Sequence, residues 1–290
     1  MPETDRWASW LAERRFGGDR ETRDALFAEV LHPIRDRVLD GAEPLSGRRV
    51  LDVGCGEGLI GFGALERGAG AVVFSDISAD VLRECERRAD AAGVLDRCDL
   101  VRCSVDDLEP LRSASVDVVV ARSVLIYVAA KRACFREFHR VLAPGGRLSL
   151  FEPINRFARV EWTGNRMFGV DVTPVADAIE KIRAVYHDAV PPQTDPMLDF
   201  DERDLVALAQ EVGFGEVELT LTAEIRAADP VPWDVFVRTA PNPNVPTLAE
   251  AMDAALTASD RDRVVAHMRP LVESGYATWR MAHAYLRARR

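Results

Sequence analysis

The segment LDVGCGEGLIG, from Leu51 to Gly61, contains four glycines and two acidic residues. It follows a short apolar run and precedes a segment of helical character, so we expect it to connect the first strand of a sheet to the first helix. Glycines at such a turn let the backbone approach a ligand closely, and N–H groups at the start of a helix attract electronegative atoms. The segment predicts a site for a nucleotide-derived cofactor, or else a tight turn that serves packing alone.

The spacing of the glycines distinguishes between cofactor classes. The dinucleotide fingerprint requires G-x-G-x-x-G. Gly54 and Gly56 satisfy its first half, but Leu59 stands where the third glycine should be, and the third glycine falls at Gly58. The spacing is therefore G-x-G-x-G, which weakens the alternative of a nicotinamide-dependent oxidoreductase.

Two acidic residues strengthen the cofactor interpretation. Asp52 lies two residues before the first glycine, where it can accept hydrogen bonds from an ammonium group in the crevice. Asp76 ends the second predicted strand, about 20 residues farther on, where a carboxylate binds a ribose diol.

Short apolar runs alternate with helical segments on both sides of these residues. The runs RVLDV, AVVFSD, LVRCS, VDVVVA and RLSLFE predict buried strands, and GLIGFGALERG, SADVLRECERRADAAG and KRACFREFHRVL predict helices. This alternation implies right-handed crossovers and a parallel sheet that is covered by helices on both faces. We therefore predict a doubly wound, Rossmann-like α/β fold.

The alternation stops after Glu152. We predict an inserted helical cap at about residues 154–199, two late strands in EVELTLT and PWDVFVRT, and a helical C-terminal tail. The expected division is N-terminal helices at 1–45, a core domain at 46–240 and a helical extension at 241–290. The apolar stripe of the tail fits either a lid or a homodimer contact, and periodicity does not separate the two.

Composition limits the partners. The formal net charge of -10 repels a phosphate backbone or an anionic bilayer, so nucleic acid and membranes are disfavoured. No apolar run approaches the roughly 18 residues of a membrane-spanning helix, and the charged amino terminus does not resemble a signal peptide, so we expect a cytoplasmic protein. The five cysteines form no CxxC pair, which argues against a metal site.

A set of five motifs resembles the class I S-adenosylmethionine-dependent methyltransferases. VLDVGCGEG, FSDIS, VDDL, VDVVVARSVLIYV and RVLAPGGRLSLFEP follow that family's order and approximate spacing over about Arg48 to Pro153. The resemblance implies S-adenosylmethionine (SAM) as the cofactor. It also implies a mostly parallel sheet of seven strands, the last of them antiparallel.

The resemblance also implies cofactor contacts. Gly54, Cys55 and Gly56 would pass beneath the cofactor, with Asp52 near its methionine end and Asp76 on both ribose hydroxyls. The other implied contacts are Ile77 against the adenine, Ser104, Val105 and Asp106 at the adenine edge, and Arg122 and Ser123 near the sulfonium. Many relatives carry an acid where Ser104 stands, so the adenine contact could shift to Asp106.

Methyl transfer from a sulfonium needs an aligned acceptor, exclusion of water and, for a hydroxyl or protonated amine, removal of a proton. Three residues are candidate bases: Glu152 at the end of the fifth strand, Tyr127 after the fourth, and His187 at the end of the inserted helix. We predict methyl transfer to O or N of a small organic molecule. The alternative is a SAM-binding protein of the same fold that does not transfer methyl.

The predicted cap contains the segment NRFARVEWTGNRMFGVDV, in which aromatic and apolar residues alternate with arginines. Such a lining suits an apolar acceptor with a carboxylate or similar anion, or an ordinary cap core with solvated arginines. The residues concerned are Phe157, Trp162, Met167 and Phe168, with Arg156, Arg159 and Arg166.

Overall fold

The computed structural model of the chain describes residues 5–15, 17, 24–25 and 27–290. The chain forms two compact units. The sheet unit comprises Leu26–Pro153, Phe200–Thr222 and His283–Arg290, and the helical unit comprises Met1–Ala25, Ile154–Asp199 and Ala223–Ala282. The predicted N-terminal helices at 1–45 lie partly outside the described residues, as do Phe16 and Leu26.

Nine strands are present in the described residues. They are β1 (Arg49–Val53), β2 (Ala71–Asp76), β3 (Cys98–Arg102), β4 (Val116–Arg122), β5 (Leu142–Pro153), β6 (Arg166–Met167), β7 (Val170–Asp171), β8 (Gly215–Ala227) and β9 (Thr278–Arg289). Seven of them form one sheet in the order β3-β2-β1-β4-β5-β9-β8. Strands β1 to β5 pair in parallel, and β9 pairs antiparallel with β5. The predicted doubly wound, seven-stranded sheet is confirmed.

The helices follow the strands as the sequence pattern predicts in the first half of the chain. They are α1 (Arg6–Ser9), α2 (His32–Ala42), α3 (Leu59–Glu66), α4 (Ala79–Ala91), α5 (Lys131–Val141), α6 (Asn155–Ala158), α7 (Ala176–Ala189), α8 (Glu202–Glu211), α9 (Trp233–Arg238), α10 (Leu248–Ala255) and α11 (Ala258–Glu273). Two π-helical turns, Trp10–Arg14 and Phe27–Leu31, accompany the first two helices.

Each unit has its own apolar core. In the sheet unit, residues of β1, β2 and β4 pack with α2, α3 and α4, and include the fully buried Leu39 and Phe74. In the helical unit, β6 and β7 pack with α7, α10 and α11 around Ile179 and Met268. No helix in the described part of the chain is long and apolar enough to cross a bilayer.

The strand order of the sheet indicates where a cofactor crevice lies. Strands β2 and β3 lie on one side of β1, and β4 and β5 lie on the other. The strand order therefore reverses between β1 and β4. In open α/β sheets ligands bind outside the carboxyl ends of the strands at such a reversal. The glycine segment after β1 lies at this point.

Two predictions in the last third of the chain are wrong. PWDVFVRT, predicted as a strand, contains the helix α9, in which the rings of Trp233 and Phe236 stack with centroids 5.7 Å apart, as residues three apart on a helix do. The last part of the predicted helical tail is strand β9. There Ala282, Ala284 and Leu286 are buried on alternate positions, which is a period-two signal.

Candidate functional site

The turn between β1 and α3 depends on three glycines. Gly54, Gly56 and Gly58 have φ values of +57°, +52° and +75°, in the left-handed region that only glycine adopts without strain. The Cys55 N–H donates to the Ser75 carbonyl at 2.9 Å, which ties the turn to β2. The glycines therefore give this segment a backbone path that other residues would resist.

The glycines of the turn face different surroundings. A Cβ on Gly54 would lie 2.7 Å from Cγ2 of Val124, so packing as well as the backbone conformation requires glycine there. A Cβ on Gly56 would meet no heavy atom within 4 Å. Gly56 therefore presents its backbone to open space, which a ligand in close contact with the chain requires.

Asp76 joins the turn to the end of β2. One carboxylate oxygen accepts from the Gly56 N–H at 3.1 Å, and the other accepts from the Ser78 N–H at 2.9 Å. A carboxylate has about four acceptor positions, so these bonds are compatible with binding a diol as well. The structure thus brings Gly56 and Asp76 together, and the adjacent Ile77 exposes 44% of its surface.

The turn after β3 contains the predicted adenine-edge residues. The Ser104 hydroxyl donates to the Asp106 carboxylate, and the Asp107 N–H donates to the Ser104 carbonyl at 3.1 Å. Val105 is buried between them. Ser104 and Asp106 therefore act as one hydrogen-bonded pair, in which the aspartate supplies the acidic group that Ser104 itself lacks.

Asp52 lies near the end of β1 with its carboxyl group enclosed. Its carboxyl group is only 1% exposed and accepts from the Gly61 N–H at 2.8 Å, so it ties β1 to α3. Burial raises the pKa of Asp52 to about 8, although the Gly61 bond and the Arg122 charge lower it. Its burial does not favour a direct contact with the ammonium group of the cofactor, and that contact stays a prediction.

We expect the Asp52→Asn variant to change the pH dependence of stability. The folded-state pKa is raised from 3.8 to about 8, so folding favours the protonated acid. The stability that this preference contributes is complete below about pH 3.8 and is lost progressively as the pH rises to about 8. Between about pH 5.5 and pH 7.5 the wild type should lose stability relative to the variant by up to ~1.4 kcal/mol per pH unit. Urea unfolding at several pH values measures this, and parallel curves would contradict it.

Glu152 is a positioning residue. Its side chain is fully buried, and it accepts from the N–H groups of Val124 and Leu125 at 2.9 Å and of Ile126 at 3.3 Å. Burial raises its pKa to about 7 against the lowering effect of these bonds. A carboxylate enclosed in this way is not aimed at an acceptor, so the burial disfavours Glu152 as the base, and that role stays a prediction. It holds the turn that carries Tyr127.

We expect Glu152→Gln to destabilise the sheet unit by about 1–3 kcal/mol, because the amide NH2 that replaces Oε2 cannot accept from the Ile126 N–H and leaves this buried group unpaired. Glu218→Gln is the control, since Glu218 is an exposed partner of Arg287 in the same unit. The Glu218→Gln variant should lose less than about 1 kcal/mol of its free energy of unfolding. Chemical denaturation of both variants measures the difference, and equal losses would show that the buried bonds contribute little.

Arg122 is the last residue of β4 and Ser123 follows it, at the carboxyl end of the strand. Ser123 has a φ of +56°, and its N–H donates to the Phe151 carbonyl at 2.8 Å. Burial lowers the pKa of Arg122, while Tyr127, Asp52 and Glu152 favour its charged form. The structure therefore brings together a cation, a phenol and two acids that the sequence pattern treated separately.

The helical unit contains a pocket of about 540 Å³. Trp162, Met167 and Arg159 of the predicted acceptor lining contribute to its wall, and His187 lies exposed on it. Arg166 instead bonds to Glu161 and to the Thr278 hydroxyl. His187 thus belongs to the helical unit, whereas Tyr127 and Glu152 belong to the sheet unit.

The candidate site contains cysteines but no metal-binding cluster among the described residues. Among the described residues, no three His, Cys, Asp or Glu side chains cluster as a metal ion requires. The thiols of Cys55 and Cys85 are buried, and the Cys85 thiol donates to the Gly56 carbonyl at 3.2 Å. Burial raises the pKa of Cys55, so this residue supports the turn as a neutral thiol.

Comparison with known proteins places this site in a family. Residues 51–150 match a family model described as a methyltransferase domain. Over 191 residues the chain is 30% identical to the ubiquinone/menaquinone biosynthesis C-methyltransferase UbiE of Cereibacter sphaeroides, covering 63% of this chain and 73% of that one. The chain belongs to the class I SAM-dependent methyltransferases. SAM is the cofactor of this family, and the open turn at Gly56 beside Asp76 fits an adenosyl group and its ribose.

Other relatives match over shorter stretches. The tRNA 5-carboxymethoxyuridine methyltransferase of Escherichia coli K12 is 35% identical over 129 residues, covering 44% of this chain and 49% of the relative. The chain thus spans about half the length of that curated relative. The structure of geranyl diphosphate methyltransferase in complex with SAM has a TM-score of 0.54 at 17% identity, covering 97% of this chain and 94% of that one. This likeness shows the methyltransferase fold.

Proposed function

We propose that this methyltransferase-family protein transfers the methyl group of SAM to an O or N atom of a small organic molecule. The observation that carries the proposal is the Gly56 N–H bonded to Asp76 at 3.1 Å beside an open backbone surface. When bound, SAM supplies an activated methyl group, so the protein needs no nucleophile of its own. Its residues have to hold the cofactor, align the acceptor and exclude water.

We assign the residues of the sheet unit to holding the cofactor. Asp76 binds the ribose, Ile77 covers the adenine, and the Ser104–Asp106 pair contacts its edge. Glu152 fixes the turn after β4, so that Arg122 and Tyr127 keep their positions beside it. Tyr127 and His187 are our proposed proton acceptors, because Glu152 is enclosed.

A small acceptor is favoured over nucleic acid. The net charge of -10 opposes a polyanion, and a pocket of about 540 Å³ with apolar walls has the size of a small-molecule site. The names of the relatives differ: one is a tRNA 5-carboxymethoxyuridine methyltransferase and another is a ubiquinone/menaquinone biosynthesis C-methyltransferase. The charge and the pocket together support a small-molecule acceptor, and we propose that the protein acts in the cytoplasm.

The release of S-adenosylhomocysteine (SAH) tests the proposal. The purified protein is incubated with SAM and, separately, with hydroxyl- and amine-bearing small molecules and with unmodified tRNA. We expect SAH with small molecules and none with tRNA; release with tRNA alone would contradict the proposal. SAM binding without SAH release from any acceptor would support the alternative, a SAM-binding protein without transfer activity. Tyr127→Phe and His187→Ala, assayed in the same way, separate the two candidate bases.

A further inference from the structure

The pocket of the helical unit has predominantly apolar walls. Its volume of about 540 Å³ lies within the range of small-molecule sites. The Trp162 ring is held edge-on against Phe168, with centroids 4.3 Å apart, and against Tyr186, with centroids 5.9 Å apart. Rigid aromatic walls of this kind suit an apolar body. The apolar lining includes Trp162, Met167, Val190, Met197, Leu198 and Val245.

The two arginines of the pocket have different surroundings. Arg183 is 9% exposed, donates to the carbonyls of Gly164 at 2.8 Å and Arg166 at 2.6 Å, and pairs with Glu180. The positive charge of Arg183 is therefore neutralised within the protein. The Arg159 guanidinium is exposed on the same pocket and has neither an ion pair nor a hydrogen bond among the residues that the structure describes.

The charges favour a single negative charge on the ligand. A guanidinium binds a carboxylate through two parallel N–H bonds. The carboxylates of Glu180 and Asp195 line the same pocket and would repel a dianion such as a phosphate monoester. We infer that the pocket binds an apolar organic molecule with one carboxylate, which Arg159 holds. That this molecule is the methyl acceptor rests on the proposed function.

Three compounds with one ring system test this inference by calorimetry: 2-naphthoic acid, neutral 2-naphthamide and 2-naphthyl phosphate. We expect the acid to bind the wild-type protein about tenfold more tightly than the amide, because one charge-assisted contact is added. The phosphate should bind more weakly than the acid. In Arg159→Gln the advantage of the acid over the amide should disappear.

Arg269→Gln is the matched control, with the same loss of charge in the same unit. Arg269 is exposed, pairs with Glu273 on its own helix and does not line the pocket. It should retain the preference for the acid. Equal affinities of acid and amide in the wild type, no binding of either, or equal effects of the two variants would each overturn the inference.

SAM titrations distinguish this inference from the proposed function. The cofactor residues lie in the sheet unit, so Arg159→Gln should bind SAM as the wild type does. If the wild type binds naphthoate through Arg159 but ignores SAM, the proposed function fails and the pocket assignment stands. If SAM binds and SAH is released but naphthoate shows no dependence on Arg159, the pocket assignment fails alone.

Discussion

Replacing Asp76 with alanine is expected to weaken SAM binding by at least about 100-fold. The carboxylate accepts from the Gly56 and Ser78 N–H groups, so its loss removes both the anchor of the glycine turn and the acceptor for the ribose diol. Hydrogen bonds to a charged group contribute about 1.5–3 kcal/mol each, so two of them account for this factor. Calorimetric titration of SAM measures the effect.

Asp99→Ala is the control for this variant. Asp99 lies on β3 and pairs with Arg49 at 2.5 Å, with about half of its side chain exposed. Its replacement removes the same charge from a neighbouring strand without touching the glycine turn. If Asp76→Ala keeps the wild-type affinity for SAM, or if both variants lose the same amount of SAM affinity, the assignment of the ribose to Asp76 is wrong.

The second large effect is expected at Gly56. An alanine there projects its methyl group into the open space that we assign to the cofactor, and we expect SAM affinity to fall at least about tenfold. The left-handed φ of +52° also costs an L-residue about 1–2 kcal/mol of stability. A fall in affinity therefore has to be separated from strain.

Gly93→Ala separates the two causes. Gly93 has a φ of +65°, and a Cβ there also meets no heavy atom within 4 Å. Both variants should unfold at similarly lowered denaturant concentrations, but only Gly56→Ala should bind SAM more weakly. Indistinguishable binding curves for the two would mean that no ligand approaches Gly56.

Strands β1, β2 and β4 could be predicted because they are buried on both faces. Such strands consist of continuous apolar runs, and β1 and β2 fall where RVLDV and AVVFSD predict them. The last strand, TWRMAHAYLRAR, is rich in alanine and arginine, which favour helix. It forms a strand because residues such as Leu286 pair with Leu150 of β5, and this long-range pairing overrides local propensity.

Of the candidate site, the sequence could predict that Gly56 and Asp76 lie near each other, because they lie at or just after the carboxyl ends of neighbouring strands. The hydrogen bond between them is a finding of the structure. The hydrogen bonds of Glu152 could not be predicted, because the sequence indicates that Glu152 ends a strand but not which groups it contacts. The N–H groups of Val124–Ile126 point toward its carboxylate only in the folded chain. Likewise, the bond between the Asp52 carboxyl group and the Gly61 N–H could not be read from the sequence.

A crystal structure with bound SAH tests the central claim most directly. We predict that both ribose hydroxyls lie within hydrogen-bonding distance of the Asp76 carboxylate and that the adenosyl group rests against the backbone at Gly56. A structure in which SAH binds elsewhere, or in which its ribose makes no contact with Asp76, would contradict the account.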